Sequence, residues 1–179
     1  MEARECILSR RSIRRFSDKP VTKETIEELV SLTEYAPTWK NVQANRVIAV
    51  TDAALKEKVA NECTSYVGNT KIMCGAPVLL VMTVVDGRSG FERDGSFSTT
   101  KGTHWQSFDA GIFTQTLCLA ANDMGLGTVI MGIYDEDKVK ELVELPEGES
   151  VAALIALGYP DESPEAPKRK ELEKILSYR

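Results

Sequence analysis

The chain has 179 residues, 42% hydrophobic and 27% charged, with a formal net charge of −5. This profile fits one soluble globular domain, residues 1–179, with its own core, and argues against nucleic acid or an anionic membrane as the main partner. Met1–Glu5 lacks an apolar signal-peptide core and no apolar run reaches membrane-spanning length, so the expected location is cytoplasmic.

Residues 3–10 read as a short helix, with Cys6, Ile7 and Arg10 at helical spacing. It delivers the stretch Ser9-Arg10-Arg11-Ser12-Ile13-Arg14-Arg15-Phe16, the tightest concentration of positive charge in an acidic protein. Guanidinium is a permanently charged planar fork and serine a neutral donor, so the composition suits a phosphorylated ligand. A solvated helix end near the negative pole of the helix dipole is the plainer alternative. After Pro20, Thr22 is a candidate N-cap for a helix with Ile26, Leu29, Val30 and Thr33 on one face, ended by Pro37. Arg46–Thr51 reads as a short buried strand, and Asp52 caps a helix carrying Leu55, Val59 and Cys63. A further helix ends near Met73.

The unbroken apolar run Val78–Val85 predicts a strand in the middle of the sheet, buried on both faces. Residues 86–103 have little periodicity and many glycines, charges and hydroxyls, marking either a lid over a pocket or a surface excursion. His104 to Met124 is the longest helical pattern. One stripe carries Trp105, Phe108, Ile112, Thr116 and Leu119, and the next carries Phe113, Leu117, Ala120 and Met124, which implies a core helix ended by Gly125. Thr128–Met131 reads as a strand, Asp135 as the cap of a helix with Val139, Leu142 and Val143, and Val151–Leu157 as another buried strand. The tail, residues 160–179, is extended by Pro160, Pro164 and Pro167 and closes on an amphipathic segment around Leu172, Ile175 and Leu176. Helices and strands in this order predict an α+β fold, one modest sheet with helices on both faces.

The four cysteines, Cys6, Cys63, Cys74 and Cys118, have neither C-x-x-C spacing nor companion histidines, so no metal site is expected and they read as small buried apolar residues. Gly125-Leu126-Gly127-Thr128 leads from a helix into a strand, the reverse of a dinucleotide fingerprint, and reads as a helix C-cap and tight turn. His104 reads first as a helix-end or packing residue, and Trp39 as pocket lining or interface packing.

Four segments taken together resemble the nitroreductase family of FMN-dependent oxidoreductases. They are the R-R-S-x-R-x-F stretch at Arg10–Phe16 with the following Pro20-Val21, the segment Pro37-Thr38-Trp39-Lys40-Asn41-Val42-Gln43, Gly125–Thr128, and Leu157-Gly158-Tyr159-Pro160. The resemblance implies a mixed, mainly antiparallel sheet flanked by helices on both faces, and a homodimer with two FMN sites at the subunit interface. It implies FMN phosphate contacts from Arg10, Arg11 and Ser12, closed from the tail by Lys168 and Arg169. Arg14 is implied at the ribityl chain or pyrimidine edge, and the backbone at Met131-Gly132 at the reactive N5 and O4 edge. Pro37, Thr38, Asn41 and Gln43 are implied to reach the flavin of the other subunit, with Trp39, Lys40, His104 and Trp105 as lining of a substrate pocket beside the 86–103 loop. The chemistry implied is hydride transfer from NADH or NADPH through flavin N5 to a small-molecule acceptor, a nitroaromatic or quinone, in two half-reactions. Reductive dehalogenation, enone reduction and a flavin-holding module without turnover are alternatives that these motifs leave open. Thr38 replaces the commoner serine, and Ala44-Asn45 stand where many members carry Pro-Trp.

Overall fold

Alternating and continuous apolar runs become four strands, β1 (Asn45–Val50), β2 (Val78–Val85), β3 (Gly127–Met131) and β4 (Glu149–Gly158). They form one sheet in the order β1-β2-β4-β3 in a computed structural model that describes residues 1–179. Every neighbouring pair is antiparallel, in keeping with the mainly antiparallel sheet that the family resemblance implies. A single parallel bridge, Ser12 to Thr128, lays the arginine segment along the outer edge of β3. β2 is interior as its composition requires, with Val78 to Val84 buried.

Successive strand residues point to opposite faces, and each face has its own helical layer. Val78, Leu80 and Met82 pack with Leu29 of α2 (Lys23–Thr33) and with Phe113 and Leu117 of α5 (His104–Asp123). Leu79 and Val81 pack with Val59 of α3 (Ala53–Glu62), Met73 of α4 (Val67–Gly75) and Val139 of α6 (Glu136–Leu142). The predicted caps form: Thr22, Asp52 and Asp135 accept from the backbone N–H of Thr25, Leu55 and Lys138, each worth about 1 kcal/mol. Gly125, at φ +74°, closes α5 in the left-handed conformation. No helix is long and apolar enough to cross a membrane.

Several expectations change. Strand β4 begins at Glu149 rather than Val151, because a register shift at Met82/Thr83 lets its polar start pair with β2, where the Thr83 hydroxyl donates to the Glu149 carboxylate at 2.7 Å. Helix α5 is core on one side only. Ala110, Phe113, Leu117, Cys118 and Ala121 are buried, whereas Phe108 on the other stripe is 58% exposed, since a single layer cannot cover so wide an apolar surface. Helix α1 (Ala3–Ser9) buries Cys6 against α5, with Sγ donating to the Leu119 carbonyl at 3.2 Å, and leaves Ile7 exposed. Cys63 and Cys118 are buried, but Cys74 is exposed, because the last turn of α4 points it away from the sheet. The closing segment is one 3-10 turn, Leu172–Lys174, with Leu172 and Ile175 exposed, since no surface of its own chain lies beneath it.

Two glycines explain how the separated motifs meet. A Cβ on Gly127 would lie 2.7 Å from Ile13 Cγ1, and one on Gly158 would lie 2.5 Å from Pro77 Cδ and 2.9 Å from Phe16 Cδ1. Their bare backbones let the arginine segment close down, with Ile13 N–H donating to Thr128 and Ser17 N–H to Tyr159, both at 2.9 Å. Gly127→Ala is expected to destabilise the fold by about 1–3 kcal/mol through overpacking. Gly75→Ala, where a Cβ meets nothing within 4 Å, is the control. Urea midpoints for the two variants provide the check, and equal midpoints would show that Ile13 yields freely.

Candidate functional site

The residues expected to act together form two groups. In the first, Arg10 follows directly on the end of α1, and Arg10, Arg11 and Ser12 are half-buried between α5 and β3. The Arg11 guanidinium turns back onto the carbonyls of Leu8 (2.7 Å) and Arg10 (2.9 Å), and Arg14 donates to the Ser12 carbonyl at 3.3 Å. None of these three side chains has a carboxylate partner within ion-pair distance. Arg15 differs: its Nη2 donates to the Asp161 carbonyl at 2.8 Å and its Nε lies 3.4 Å from the Asp161 carboxylate. Glu162 accepts from the backbone N–H of both Arg14 and Arg15.

A cleft of about 190 Å³ opens here, lined among others by Ser9, Arg10, Arg11, Cys118, Asn122 and Gly125–Thr128. Burial pushes the Cys118 thiol pKa up, against the opposing hydrogen bond from Thr128 and the nearby Arg10 charge. At the end of β3, Met131 is buried and Gly132 exposed, and a Cβ on Gly132 would meet nothing within 4 Å. Lys168 and Arg169 lie exposed on the tail, and no hydrogen bond or ion pair ties them to the arginine segment of their own chain.

The second group surrounds residues 37–43. Lys40, Asn41 and Gln43 all adopt left-handed backbone, at φ 44°, 55° and 49°, a conformation that costs non-glycine residues on the order of 1–3 kcal/mol each. Specific bonds hold it. Thr38 Oγ1 accepts from Gln43 N–H at 3.1 Å, Lys40 Nζ donates to Glu92 at 3.0 Å, and the Trp39 ring lies 4.8 Å from that of Trp105. Pro37 is exposed at the entry to this turn, and His104 stands exposed at the first residue of α5 without a side-chain hydrogen bond.

The residue that ties this group together escaped sequence reading. Asp109, 3% exposed on α5, accepts from Trp39 N–H at 2.8 Å and from the Ser89 hydroxyl at 2.6 Å. It therefore fastens both the 37–43 turn and the 86–103 loop to the helix. That loop is folded against the protein, with Ser89 buried and a bridge between Phe91 and Phe97. Its Arg88 and Arg93 join Lys40 around a cavity of about 610 Å³.

Both bonds converge on one oxygen, Oδ2, so Asp109→Ala removes the acceptor of both and is expected to cost about 1–3 kcal/mol. Trp39 and Trp105 are the only tryptophans, so the loosened turn should appear as a red shift of intrinsic fluorescence at unchanged fold. An unmoved emission maximum would contradict the anchoring role. The hydrogen bond from Ser98, and after it the Lys40 bond and charge, hold the Glu92 carboxyl below its ordinary value of 4.5. A depressed carboxylate stabilises the folded contact above the unfolded value and loses that contribution as pH falls through the folded one. Tryptophan emission is expected to titrate below pH 4.5, and Glu92→Gln to remove the transition.

Helix α5 separates the groups. Asp109 belongs to the second, while Asn122, which donates to Ser9 Oγ at 3.0 Å and to the Cys6 carbonyl at 3.3 Å, borders the first. At 1.5 Å per residue the run between them spans about 20 Å, so within one chain the two groups stay apart.

The nitroreductase family model matches residues 7–67 and 64–159. An NADPH-flavin oxidoreductase of Vibrio harveyi is 32% identical over 92% of this chain and 68% of its own length. A putative NADH dehydrogenase/NAD(P)H nitroreductase of Methanothermobacter thermautotrophicus is 31% identical over 97% of this chain and 88% of its own. Among solved structures, the NADPH:FMN oxidoreductase of Vibrio harveyi complexed with NAD+ superposes with a TM-score of 0.80 at 28% identity, covering 97% of this chain and 75% of that one. The fold and the matched sequence together establish that the chain belongs to the nitroreductase family.

Proposed function

We propose that the protein is an FMN-dependent oxidoreductase that takes reducing equivalents from NADH or NADPH and delivers them to a small-molecule acceptor, a nitroaromatic, quinone or related compound. We further propose that it works as a homodimer with two FMN sites at the subunit interface. The observation that carries this reading is the split site, with unpaired cations at one end of α5 and a strained, bonded turn at the other. A two-fold axis brings the first group of one subunit to the second group of the other, which a single chain does not do.

The donor set fits FMN. Arg10 and Ser12 present a guanidinium and a hydroxyl that no side chain of this protein engages, matching a phosphate monoester. Gly132 leaves open backbone where a planar ring has to approach. When bound, FMN would supply two-electron hydride chemistry at N5.

The chain's own residues bind, orient and exclude. Arg10, Arg11 and Ser12, with Lys168 and Arg169 from the tail, would hold the phosphate, and Arg14 would steady the ribityl chain or pyrimidine edge, where positive charge favours the reduced ring. The Met131-Gly132 backbone would leave room for the reactive edge of the ring. Pro37, Thr38, Asn41 and Gln43 of the second subunit complete the polar contacts, and Asp109 keeps their turn in place. Trp39, Lys40, His104 and Trp105 border the acceptor pocket, and the 86–103 loop limits entry of water and acceptor.

The deciding experiment is the visible spectrum of the purified protein, followed by anaerobic addition of NADH or NADPH and then an acceptor panel. Flavin absorbance that bleaches with the nucleotide and returns with the acceptor is expected. A flavin that neither nucleotide reduces would leave a binding module, and a colourless protein that ignores added FMN would overturn the reading.

A further inference from the structure

The cavity of about 610 Å³ beside the 86–103 loop is lined by three cations, Lys40, Arg88 and Arg93, and one carboxylate, Glu92, with Val42 and Phe91 as its apolar wall. The carboxylate is already committed. Lys40 Nζ donates to both Glu92 oxygens, at 3.0 and 3.3 Å, and Ser98 Oγ donates to one of them at 2.5 Å. The neighbouring acids are engaged too, Asp94 with Ser96, and Asp86 with Ser150 and Gln106. Arg88 and Arg93 are left exposed, and neither guanidinium meets a carboxylate within ion-pair distance.

Solvated arginines are common on protein surfaces, but these two stand on fixed backbone. Ser89, next to Arg88, is buried and donates to Asp109 at 2.6 Å. Beside Arg93, Glu92 N–H donates to the Ser96 carbonyl and Ser98 N–H to the Gly90 carbonyl, both at 2.8 Å, and the Phe91 and Phe97 rings pack 4.9 Å apart. The segment is therefore a closed hairpin. Like charges held around one concavity repel each other, and an anion between them removes that repulsion. A guanidinium fork matches the paired oxygens of a carboxylate. The wall of Phe91 and Val42 suits a ring, and Lys40 joins the cavity to the pocket at Trp39, its Nζ lying 5.6 Å from the centre of that ring.

We propose that Arg88 and Arg93 form a carboxylate subsite that selects nitroaromatic or quinone acceptors bearing a carboxylate over neutral ones. The subsite rests on the oxidoreductase reading for what becomes of the acceptor, whereas its preference for an anion is measurable without turnover.

The test is a titration of the 15N-labelled, FMN-saturated protein with benzoate, benzamide and acetate at constant ionic strength, following the Arg88 and Arg93 Nε–H and the Phe91 amide resonances. Benzoate is expected to shift them and to bind about 3- to 30-fold more tightly than benzamide, the range for two exposed ion pairs. Arg88→Gln combined with Arg93→Gln should bring the two affinities within about twofold of each other. In turnover with NADH or NADPH, the same double substitution should lower the ratio of kcat/KM for 4-nitrobenzoate to that for 4-nitrobenzamide by a similar factor. Comparing ratios cancels the different reducibility of the two compounds. Equal binding of benzoate and benzamide, acetate shifts that match those of benzoate, or an unchanged turnover ratio in the double variant overturns the subsite. So does a cluster that answers only to adenosine 2′,5′-bisphosphate, which would assign the cations to the nicotinamide nucleotide. A protein that prefers benzoate yet reduces neither nitro compound leaves the carboxylate subsite standing and counts against the oxidoreductase reading instead.

Discussion

Arg10→Ala is expected to weaken FMN binding about 10- to 150-fold, and Arg15→Ala less than about threefold, although the two residues lie in the same basic run. Their surroundings separate them. Arg15 spends its guanidinium on Asp161, and a pair as exposed as that contributes little. Arg10 is half-buried, borders the cleft beside Cys118 and Asn122, and has no carboxylate partner, so its charge is available to a phosphate. Losing one charge-assisted hydrogen bond costs about 1.5–3 kcal/mol, which sets the larger range. Titrating apoprotein with FMN measures both effects. Riboflavin, which lacks the phosphate, should show almost no difference between Arg10→Ala and the unsubstituted protein. Equal losses from the two substitutions would mean that the number of charges, and not their placement, holds the phosphate.

What could be read in the sequence follows from which signals are local. The caps at Thr22, Asp52 and Asp135 and the C-cap at Gly125 depend on neighbours within a few residues, and all four formed. The interior position of β2 follows from a run too apolar to leave either face exposed. The arginine segment was visible as composition, but its seat on β3 was not, because that depends on the space left by Gly127 and Gly158, two positions far away in the chain. Asp109 lay hidden for a similar reason. A lone acid amid apolar helical stripes reads as solvent-facing, and only the folded turn shows Trp39 N–H and Ser89 brought to it. The exposed stripe at Phe108 marks the opposite limit: periodicity shows that a surface is apolar without showing whether its own chain covers it. The family motifs supplied what periodicity could not, grouping residues that in one chain lie at opposite ends of α5.

Truncation after Pro164 is expected to raise the dimer dissociation constant at least tenfold and to weaken FMN binding about 10- to 100-fold in the same protein. Leu172 is 63% exposed, Ile175 71%, Leu176 41% and Tyr178 84%, all on a segment that contacts little of its own chain. Phe108, Ile130 and Ile133 are also about half exposed elsewhere on the surface. Apolar surface of this extent ordinarily lies against another molecule, and under the proposed two-fold arrangement a second copy covers it. The same cut removes Lys168 and Arg169, and losing charge-assisted contacts to a phosphate accounts for the loss of FMN. Where the cut is placed matters. Removing Asp161 and Glu162 as well would free Arg15 and release the backbone of the arginine segment, adding positive charge while loosening its anchor. A cut after Pro164 leaves those contacts intact and isolates the arm. Lys168→Ala with Arg169→Ala in the full chain separates the two effects further, lowering FMN affinity at an unchanged dimer constant. Sedimentation velocity across a wide dilution series, with absorbance read at the flavin band, measures both quantities at once. A truncated protein that remains dimeric at the lowest concentration and keeps its FMN would place the arm outside both the interface and the site.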